Sequence, residues 1–297
     1  MDCSIIIPYY KKEKSLFLLL ESLNRQTAGN FEVIVVNDGS DDIIEKLHER
    51  RFSFPMRYLC YPRTQSSGRP FARNRGIDAA SGDILIFVDC DQIVDADFVR
   101  NHTAPFEGCD NEVLYFGTRR FLLEELAPGA DPKSVPYIDD ARHDVFRYFK
   151  GINQRIEAVW HLVFSHNMSV RRETVRKLGG FDESFKGWGL EDTEFAYRMA
   201  RNGVEIKFLD NVEVFSVYEE SKIDNTERFR EWSANLDRFI KKYPEAPVLL
   251  QEQFVSYYDI EKRKLLFNQG IDNPWLFCFI CFEYSVKLYL ATRLDSI

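Results

Sequence analysis

Two carboxylates separated by one residue, Asp89 and Asp91, follow directly after the apolar run ILIFV, with Cys90 between them. Carboxylate oxygens are hard ligands of the kind that Mg²⁺ and Mn²⁺ prefer, and two of them at a strand end can share one ion whose shell a diphosphate completes. The alternative is a solvated turn or the N-cap of the next helix. The position at the end of an apolar strand favours the metal interpretation.

A second group of such residues lies in the stretch FKGWGLEDTEF. Gly187 and Gly189 flank Trp188, and Glu191 and Asp192 follow at once. Glycines on both sides allow a tight backbone turn beside a flat ring. Adjacent acids indicate either a catalytic carboxylate or the negatively charged start of a helix. Alone, the stretch favours the helix start, but together with the acids at 89 and 91 it favours chemistry.

A third group suits a nucleotide. Asp38 ends an apolar run, where its carboxylate can accept from a base N–H or a ribose hydroxyl, or can form an Asx-turn. Arg73 lies on a short predicted helix of an acidic protein and offers planar donors to phosphate or base edges, although a solvated basic face is the alternative. Pro8, Tyr9 and Tyr10 end the first apolar run.

The elements that position these groups alternate along the first 105 residues. The apolar runs CSIIIPYY, FEVIVVND, MRYLCYP and ILIFV read as strands, and helical segments separate them. Such alternation predicts an α/β fold with a mostly parallel sheet flanked by helices. Ligands bind at the carboxyl ends of the strands in these sheets, so the strand ends that carry Pro8 to Tyr10, Asn37 to Ser40 and Asp89 to Asp91 are expected to line one crevice.

The alternation weakens beyond about residue 105. A long loop rich in proline and aspartate is predicted around Pro128 to Asp140, and a helix is predicted from GLEDTEFAYRMARNG. From about Asn225 the pattern predicts long amphipathic helices up to the apolar tail. We leave three roles open for these helices: a homo-oligomer interface, a platform for the acceptor, or peripheral contact with a membrane.

Composition restricts the partners. The chain has 297 residues and a net charge of −8, so general attraction to nucleic acid is not expected and an anionic ligand needs local cations or a metal. Six scattered cysteines favour reduced thiols in a cytoplasmic protein, and the N-terminus does not read as a signal peptide. No run reaches the roughly 20 apolar residues that span a bilayer.

The order and spacing of three blocks resemble the family 2 glycosyltransferases with the nucleotide-sugar-binding GT-A fold. These blocks are SIIIPYYKKEKSLFLLLESLNRQT, FEVIVVNDGS and ARNRGIDAASGDILIFVDCD. The segment LGGFDESFKGWGLEDTEFAYRMARNG resembles the galactosyltransferase-type block of the same superfamily. The resemblance covers residues 3 to 217. It implies a glycosyltransferase domain over 1–220, with a nucleotide-binding half (1–105) and an acceptor half (106–220), and leaves 221–297 as a helical C-terminal extension.

The resemblance also implies the reaction: an inverting, Mn²⁺- or Mg²⁺-dependent transfer of a hexose or N-acetylhexosamine. The donor is a UDP-sugar, and the acceptor is a hydroxyl of a glycan, peptide or small molecule. It makes Asp192 the base, Glu191 the residue that holds a sugar hydroxyl, and Asp91 the metal ligand, with Asp89 beside it. The residues assigned to the nucleotide sugar are Pro8, Tyr9, Tyr10, Asp38, Arg73, Asp89, Cys90 and Asp91. Those assigned to the acceptor or sugar are Trp188, Gly187, Gly189 and His166.

Two departures from the family pattern matter. Metal-dependent relatives often carry a histidine on the strand written NVEVFSVYEE, where this chain has Phe215 and Ser216. The third metal ligand is then absent, replaced by water, or supplied by His166, which equally fits a site-lining or a core role. The usual DDGS is NDGS here, so Asn37 keeps hydrogen bonding but loses the charge.

Two other functions remain open at this point. A nucleotidyltransferase can share the sheet and the carboxylate metal site, but it does not need Trp188 or Asp192. A non-catalytic nucleotide-sugar-binding scaffold subunit is compatible with the missing histidine. Fold alone does not separate these alternatives.

Overall fold

The computed structural model describes residues 2–109, 111–140, 142–143, 159–218, 225–246, 258–259 and 264–265. Residues 1–138 and 160–239 form one compact unit, which contains all the residues of the candidate site. Residues 139–159 and 240–297 form the second unit, in which Arg142 and Asp140 make a buried ion pair (Nη2–Oδ2 3.0 Å).

The first half of the larger unit alternates strands and helices as predicted. In order these are β1 (Cys3–Tyr9), α1 (Glu13–Leu23), β2 (Phe31–Asp38), α2 (Ile44–His48), β3 (Met56–Tyr61), α3 (Arg69–Ala79) and β4 (Ile84–Val88). The strands pair in parallel in the order β3-β2-β1-β4. Every residue of β1, β2 and β4 is buried, which is why these strands read as continuous apolar runs rather than alternating ones.

The second half completes a mixed sheet. Its strands are β5 (Gln92–Val94), β6 (Val113–Leu122), β7 (Tyr137–Asp139), β8 (Asn167–Arg171) and β9 (Glu205–Ser216), and its helices are α4 (Phe98–Thr103), α5 (Arg172–Leu178), α6 (Glu191–Arg201) and α7 (Asn225–Lys242). Strand β8 pairs antiparallel with both β4 and β6, β6 runs parallel to β9, and β5 runs antiparallel to β9. The parallel pattern predicted from sequence therefore holds for the first half, whereas antiparallel pairs join it to the second.

Aromatic packing fixes the helices near the site. Phe87 on β4 lies edge-on to Phe181 (ring centroids 5.4 Å apart), and Phe181 stacks on Phe195 of α6 at 4.4 Å. Tyr197, also on α6, contacts Trp160 and Phe239, whose ring centroids lie 4.7 and 5.7 Å away. These contacts hold α6 against the sheet and α7 against α6.

Two predictions for later segments were only partly right. The predicted long loop contains a 3-10 turn (Pro132–Ser134) and strand β7. Helix α7 agrees with the predicted extension, but Tyr258–Asp259 (β10) pairs antiparallel with Lys264–Leu265 (β11), so the next predicted helix does not run through these residues. The aromatic run VSYY has high strand propensity, which helical periodicity alone overlooks. The apolar tail beyond 265 lies outside the described residues. No helix in the described ranges is both long and apolar enough to cross a membrane.

Candidate active site

The buried guanidinium of Arg73 joins the two acidic groups that the sequence singled out. Arg73 lies on α3 and its side chain is 1% exposed. Its Nη2 donates to Asp89 Oδ1 at 3.0 Å, and its Nη1 donates to Glu191 Oε1 and Asp192 Oδ1, both at 3.3 Å. The face of Phe181 lies 5.1 Å from the guanidinium carbon. One cation therefore ties the end of β4 to the start of α6.

This arrangement gives Arg73 protein partners that the sequence did not indicate. Asp89 and Asp192 are 103 positions apart, and the residue between them in space comes from a third element. The predicted nucleotide contact of Arg73 stays a prediction. What the geometry adds is a positioning role, because a planar fork with several donors fixes the orientation of each carboxylate that it contacts.

Asp192 is the most strongly perturbed carboxylate of this group. Burial and the adjacent charge of Glu191 raise its pKa to about 6, against the opposing effects of Arg73 and of the Ser165 hydroxyl, which donates to Oδ1. Helix α6 begins after Leu190, a non-glycine residue with φ 69°. Such a left-handed residue is strained, and it precedes the turn in which Glu191 and Asp192 contact Arg73.

Asp91 lies on the other side of the crevice and has two protein donors. Lys12 Nζ contacts Oδ2 at 2.7 Å, and Gln92 Nε2 donates to Oδ1 at 3.1 Å. Gln92 is buried and also bonds Ser216 Oγ at 3.1 Å. Ser216 thus supports the side chain that contacts Asp91, while Phe215 is buried in the core.

Cations and carboxylates are balanced around this crevice. Burial alone would raise the pKa of Asp91, but Lys12, Arg119 and Arg69 hold that pKa below its ordinary value. Within the described residues, the cations named around the acids are Lys12, Arg69, Arg73 and Arg119, and the carboxylates are Asp89, Asp91, Glu191 and Asp192. These four cations only neutralise the four carboxylates. The negative charge of an entering diphosphate would therefore not be neutralised by these side chains.

The donor set fits a divalent ion only if a ligand completes it. Within the part of the chain that the structure describes, no three His, Cys, Asp or Glu side chains gather into a metal site. Mg²⁺ is nevertheless commonly held by one or two carboxylates together with substrate phosphates. Asp89 is held by the buried guanidinium of Arg73, whereas Asp91 is held by the partly exposed Lys12 and provides the hard oxygens for such an ion. The residues present therefore fit a metal shared with a diphosphate.

Asp38 ends β2 at the same edge of the sheet. Its Oδ2 accepts from Arg63 Nη1 at 2.8 Å and from the Gly68 N–H at 2.7 Å. Its Oδ1 is buried and accepts no hydrogen bond from the described residues. Burial raises the pKa of Asp38, against the lowering effects of Ser67, Arg63 and Gly68. A buried acceptor without a donor is costly, so this oxygen is suited to an N–H or hydroxyl of a ligand.

Asn37, the departure from the family's DDGS, closes the turn after β2. Its Nδ2 donates to the carbonyls of Ser40 and Asp41, both at 3.1 Å, and to the Tyr58 hydroxyl at 2.8 Å. Its Oδ1 accepts from the Ser40 N–H at 2.9 Å. A charged aspartate could not donate these bonds, so the asparagine is explained by the turn itself.

The residues at the ends of β1 and β4 differ in exposure. Pro8, Tyr9 and Cys90 are buried, and burial raises the pKa of the Cys90 thiol, which keeps it neutral. Tyr10 is exposed, and the guanidinium of Arg63 lies 4.5 Å from the centre of its ring. Only Tyr10 of these four is exposed.

The loop that carries Trp188 is attached to α7. Gly187 and Gly189 have φ values of 70° and 92°, and an added Cβ would lie 2.3 Å from the Glu231 side chain and 2.9 Å from Trp232, respectively. Both glycines therefore pack closely against α7, and their predicted approach to substrate stays a prediction. Trp188 itself is 39% exposed.

Asn235 on α7 fastens the same loop. Its Nδ2 donates to the carbonyls of Lys186 and Gly189, both at 2.8 Å. The sequence analysis missed Asn235, and nothing local in the sequence marks it. It also missed Lys12 and Ser165. The lysine pair directly after PYY could have indicated Lys12, because a basic residue that follows a strand end can reach the crevice.

His166 is buried and directly precedes β8. The first residue of β8, Asn167, pairs with Val88, so His166 lies next to Asp89 at this edge of the sheet. Its ring centroid is 5.8 Å from that of Phe164. The structure brings His166 to the site region, and its role stays a prediction.

Comparison with known proteins identifies the family of the chain. The model of glycosyl transferase family 2 matches residues 4–179, and a model described as the N-terminal domain of galactosyltransferase matches residues 152–221. Validoxylamine A glucosyltransferase of Streptomyces hygroscopicus subsp. limoneus is 27% identical over 90% of this chain and 63% of its own length. Chondroitin synthase of Escherichia coli is 26% identical over 76% of this chain, which spans 36% of that protein.

Solved structures show the same fold. The S. aureus TarS fragment 1–349 in complex with UDP-GlcNAc has a TM-score of 0.56 at 18% identity, over 78% of this chain and 64% of its own. GalNAc-T7 with UDP, GalNAc and Mn²⁺ has a TM-score of 0.57 at 18% identity, over 84% of this chain and 51% of its own. The predicted GT-A fold is confirmed. Since the first family model covers more than half of the chain, the protein belongs to glycosyl transferase family 2 and is a glycosyltransferase.

Proposed function

We propose that the chain is an inverting, metal-dependent glycosyltransferase that moves a hexose or N-acetylhexosamine from a UDP-sugar to an acceptor hydroxyl. The observation that carries this proposal is the Arg73 bridge, which holds a strand-end carboxylate (Asp89) and a helix-start carboxylate (Asp192) around one crevice. Solved relatives in complex with UDP-GlcNAc, and with UDP, GalNAc and Mn²⁺, support the class of donor and the metal.

The donor end of the crevice is built from strand ends. We assign the unsatisfied Oδ1 of Asp38 to an N–H of the base or a hydroxyl of the ribose, and the exposed ring of Tyr10 to stacking on the nucleoside. Asp91 would hold Mn²⁺ or Mg²⁺ together with the diphosphate. The ion would supply positive charge to the leaving diphosphate, which the balanced side-chain charges do not provide.

Asp192 is assigned the base. The acceptor oxygen forms a bond to the anomeric carbon from the side opposite the diphosphate, whose bond to that carbon breaks with its electron pair. The proton of the acceptor hydroxyl passes to Asp192. A carboxylate with a pKa of about 6 is ionised at pH 8 yet is a better proton acceptor than an ordinary aspartate. Arg73 and Ser165 hold its orientation.

The acceptor would bind between the Trp188 loop and the start of α6. Trp188 offers a half-exposed face for a sugar ring, and Glu191 or His166 would contact hydroxyl groups. The site residues all fall within 1–220, which we propose as the catalytic domain, with 1–105 for the donor and 106–220 for the acceptor. In 221–297, helix α7 supports the Trp188 loop through Asn235.

The test is UDP release from a panel of UDP-sugars, with Mn²⁺, Mg²⁺ or EDTA. We expect turnover of one sugar, loss of turnover with EDTA and in Asp91→Ala, and loss of transfer with retained UDP binding in Asp192→Asn. Asp78→Asn is a matched control, because Asp78 lies on α3 in an exposed pair with Arg75. Turnover that survives EDTA refutes metal dependence, and the absence of turnover with every UDP-sugar refutes the proposed class of donor.

A further inference from the structure

Lys12 blocks the position that a metal needs on Asp91. Its Nζ lies 2.7 Å from Asp91 Oδ2, and the two side chains are 35% and 28% exposed, so the pair faces the open crevice rather than the core. A divalent ion binds a carboxylate oxygen at about 2.1 Å. An ammonium group and a metal ion cannot occupy the same side of one oxygen, and their charges repel.

The second oxygen of Asp91 offers no easier route. Gln92 donates to Oδ1, is buried, and is held in turn by Ser216. Moving Gln92 would break a buried hydrogen-bond network, which is costly, whereas the half-exposed Lys12 side chain can rotate away at little cost. A cation that binds Asp91 therefore displaces Lys12.

The backbone conformation before α1 directs Lys12 toward Asp91. Lys11 has φ 55°, a left-handed conformation that is unfavourable for a lysine. The carbonyl of Lys12 accepts the Leu16 N–H at 2.9 Å, which anchors the residue at the start of α1. The strained Lys11 and the start of α1 together direct the long side chain of Lys12 toward Asp91. Backbone strain of this kind persists where the surrounding structure enforces it.

We propose that Lys12 occupies the cation position of Asp91 while the donor is absent, and moves to the donor diphosphate when the metal and the nucleotide sugar bind. This inference rests on the proposed function. Its consequence is that metal alone binds weakly, because it must break the Lys12–Asp91 pair. Metal with nucleotide binds well, because the diphosphate gives the displaced ammonium a new anionic partner. Lys12 is thereby a positioning residue that makes metal and donor binding cooperative.

The test measures free Mn²⁺ by its EPR signal during titrations with and without UDP. We expect Lys12→Met to bind Mn²⁺ alone about fivefold more tightly than the parent chain, the size of one exposed ion pair, and to bind Mn²⁺ with UDP about fivefold more weakly. Lys12→Arg keeps the charge and should resemble the parent chain for Mn²⁺ alone. Lys14→Met is the control and should change neither affinity, because Lys14 lies in the first turn of α1 and pairs with the exposed Glu125.

Two outcomes would contradict the inference, and they distinguish the role of Lys12 from the metal site itself. If Mn²⁺ with UDP binds the parent chain normally but Lys12→Met leaves the affinity for Mn²⁺ alone unchanged, the role of Lys12 is refuted while the proposed function stands. If Mn²⁺ binds neither the parent chain nor Lys12→Met, even with UDP, the metal site on Asp91 is refuted and the inference with it.

Discussion

Replacing Asp192 by asparagine should stabilise the protein at alkaline pH while it abolishes transfer. Asp192 titrates at about 6 in the folded chain, compared with 3.8 for an ordinary aspartate, because burial and Glu191 oppose its charge. That difference corresponds to about 3 kcal/mol of unfavourable ionisation. We discount this to about 2 kcal/mol, because the side chain is 17% exposed at the crevice.

The pH dependence follows from the direction of the pKa change. The folded chain binds this proton more tightly than the unfolded chain, so the contribution to stability is fully present below about pH 4 and is lost as the pH rises through about 6. Asparagine does not ionise and avoids the loss. The variant should therefore match the parent chain near pH 4 and exceed its free energy of unfolding by about 2 kcal/mol at pH 8.

Thermal unfolding at a series of pH values measures this difference. For a chain of this size we expect the Tm of Asp192→Asn to be about 3 °C higher at pH 8, with the gap closing toward pH 5. Transfer should fall by about 10²-fold or more, the usual contribution of a general base. The exposed control Asp78→Asn should change neither quantity. A lower Tm for Asp192→Asn at pH 8, or a difference that does not vary with pH, would refute the reasoning.

Three further predictions concern other parts of the site. Arg73→Met leaves three carboxylates without their shared cation, so we expect the free energy of unfolding, measured in urea, to fall by about 3–5 kcal/mol at pH 8 and by less at pH 5. An equal fall at both pH values would contradict the electrostatic account. Gly189→Ala should cost about 1–3 kcal/mol more than Gly203→Ala, because both have positive φ but only the first meets a side chain, Trp232; equal costs would exclude the clash. Asp38→Asn should weaken UDP binding about tenfold by calorimetry, and unchanged affinity would remove Asp38 from the donor site.

The sequence identified strands reliably where every residue of the strand is buried. Strands β1, β2 and β4 are buried throughout, so their apolar runs identified them, and the rule for strand ends brought Asp38 and Asp89 to one edge. The direction of β8 was not predictable, because no periodicity encodes which way a distant strand pairs. The Arg73 bridge joins residues 119 positions apart in the case of Asp192, and such contacts depend on the whole fold. The packing of Gly187 against α7 was not predictable for the same reason, and its assignment to the acceptor site stays a prediction.

The attachment of the Trp188 loop has a consequence for how relatives diversify. The two family models match residues up to 221, whereas the helix that holds this loop begins at Asn225. The segment proposed to meet the acceptor is thus shaped from outside the shared catalytic region. Exchanging α7 between relatives would change the orientation of Trp188 without altering the strand ends proposed to bind the donor. Acceptor range and donor chemistry would in that case change independently, and grafts of residues 225–239 are a direct way to redirect such an enzyme.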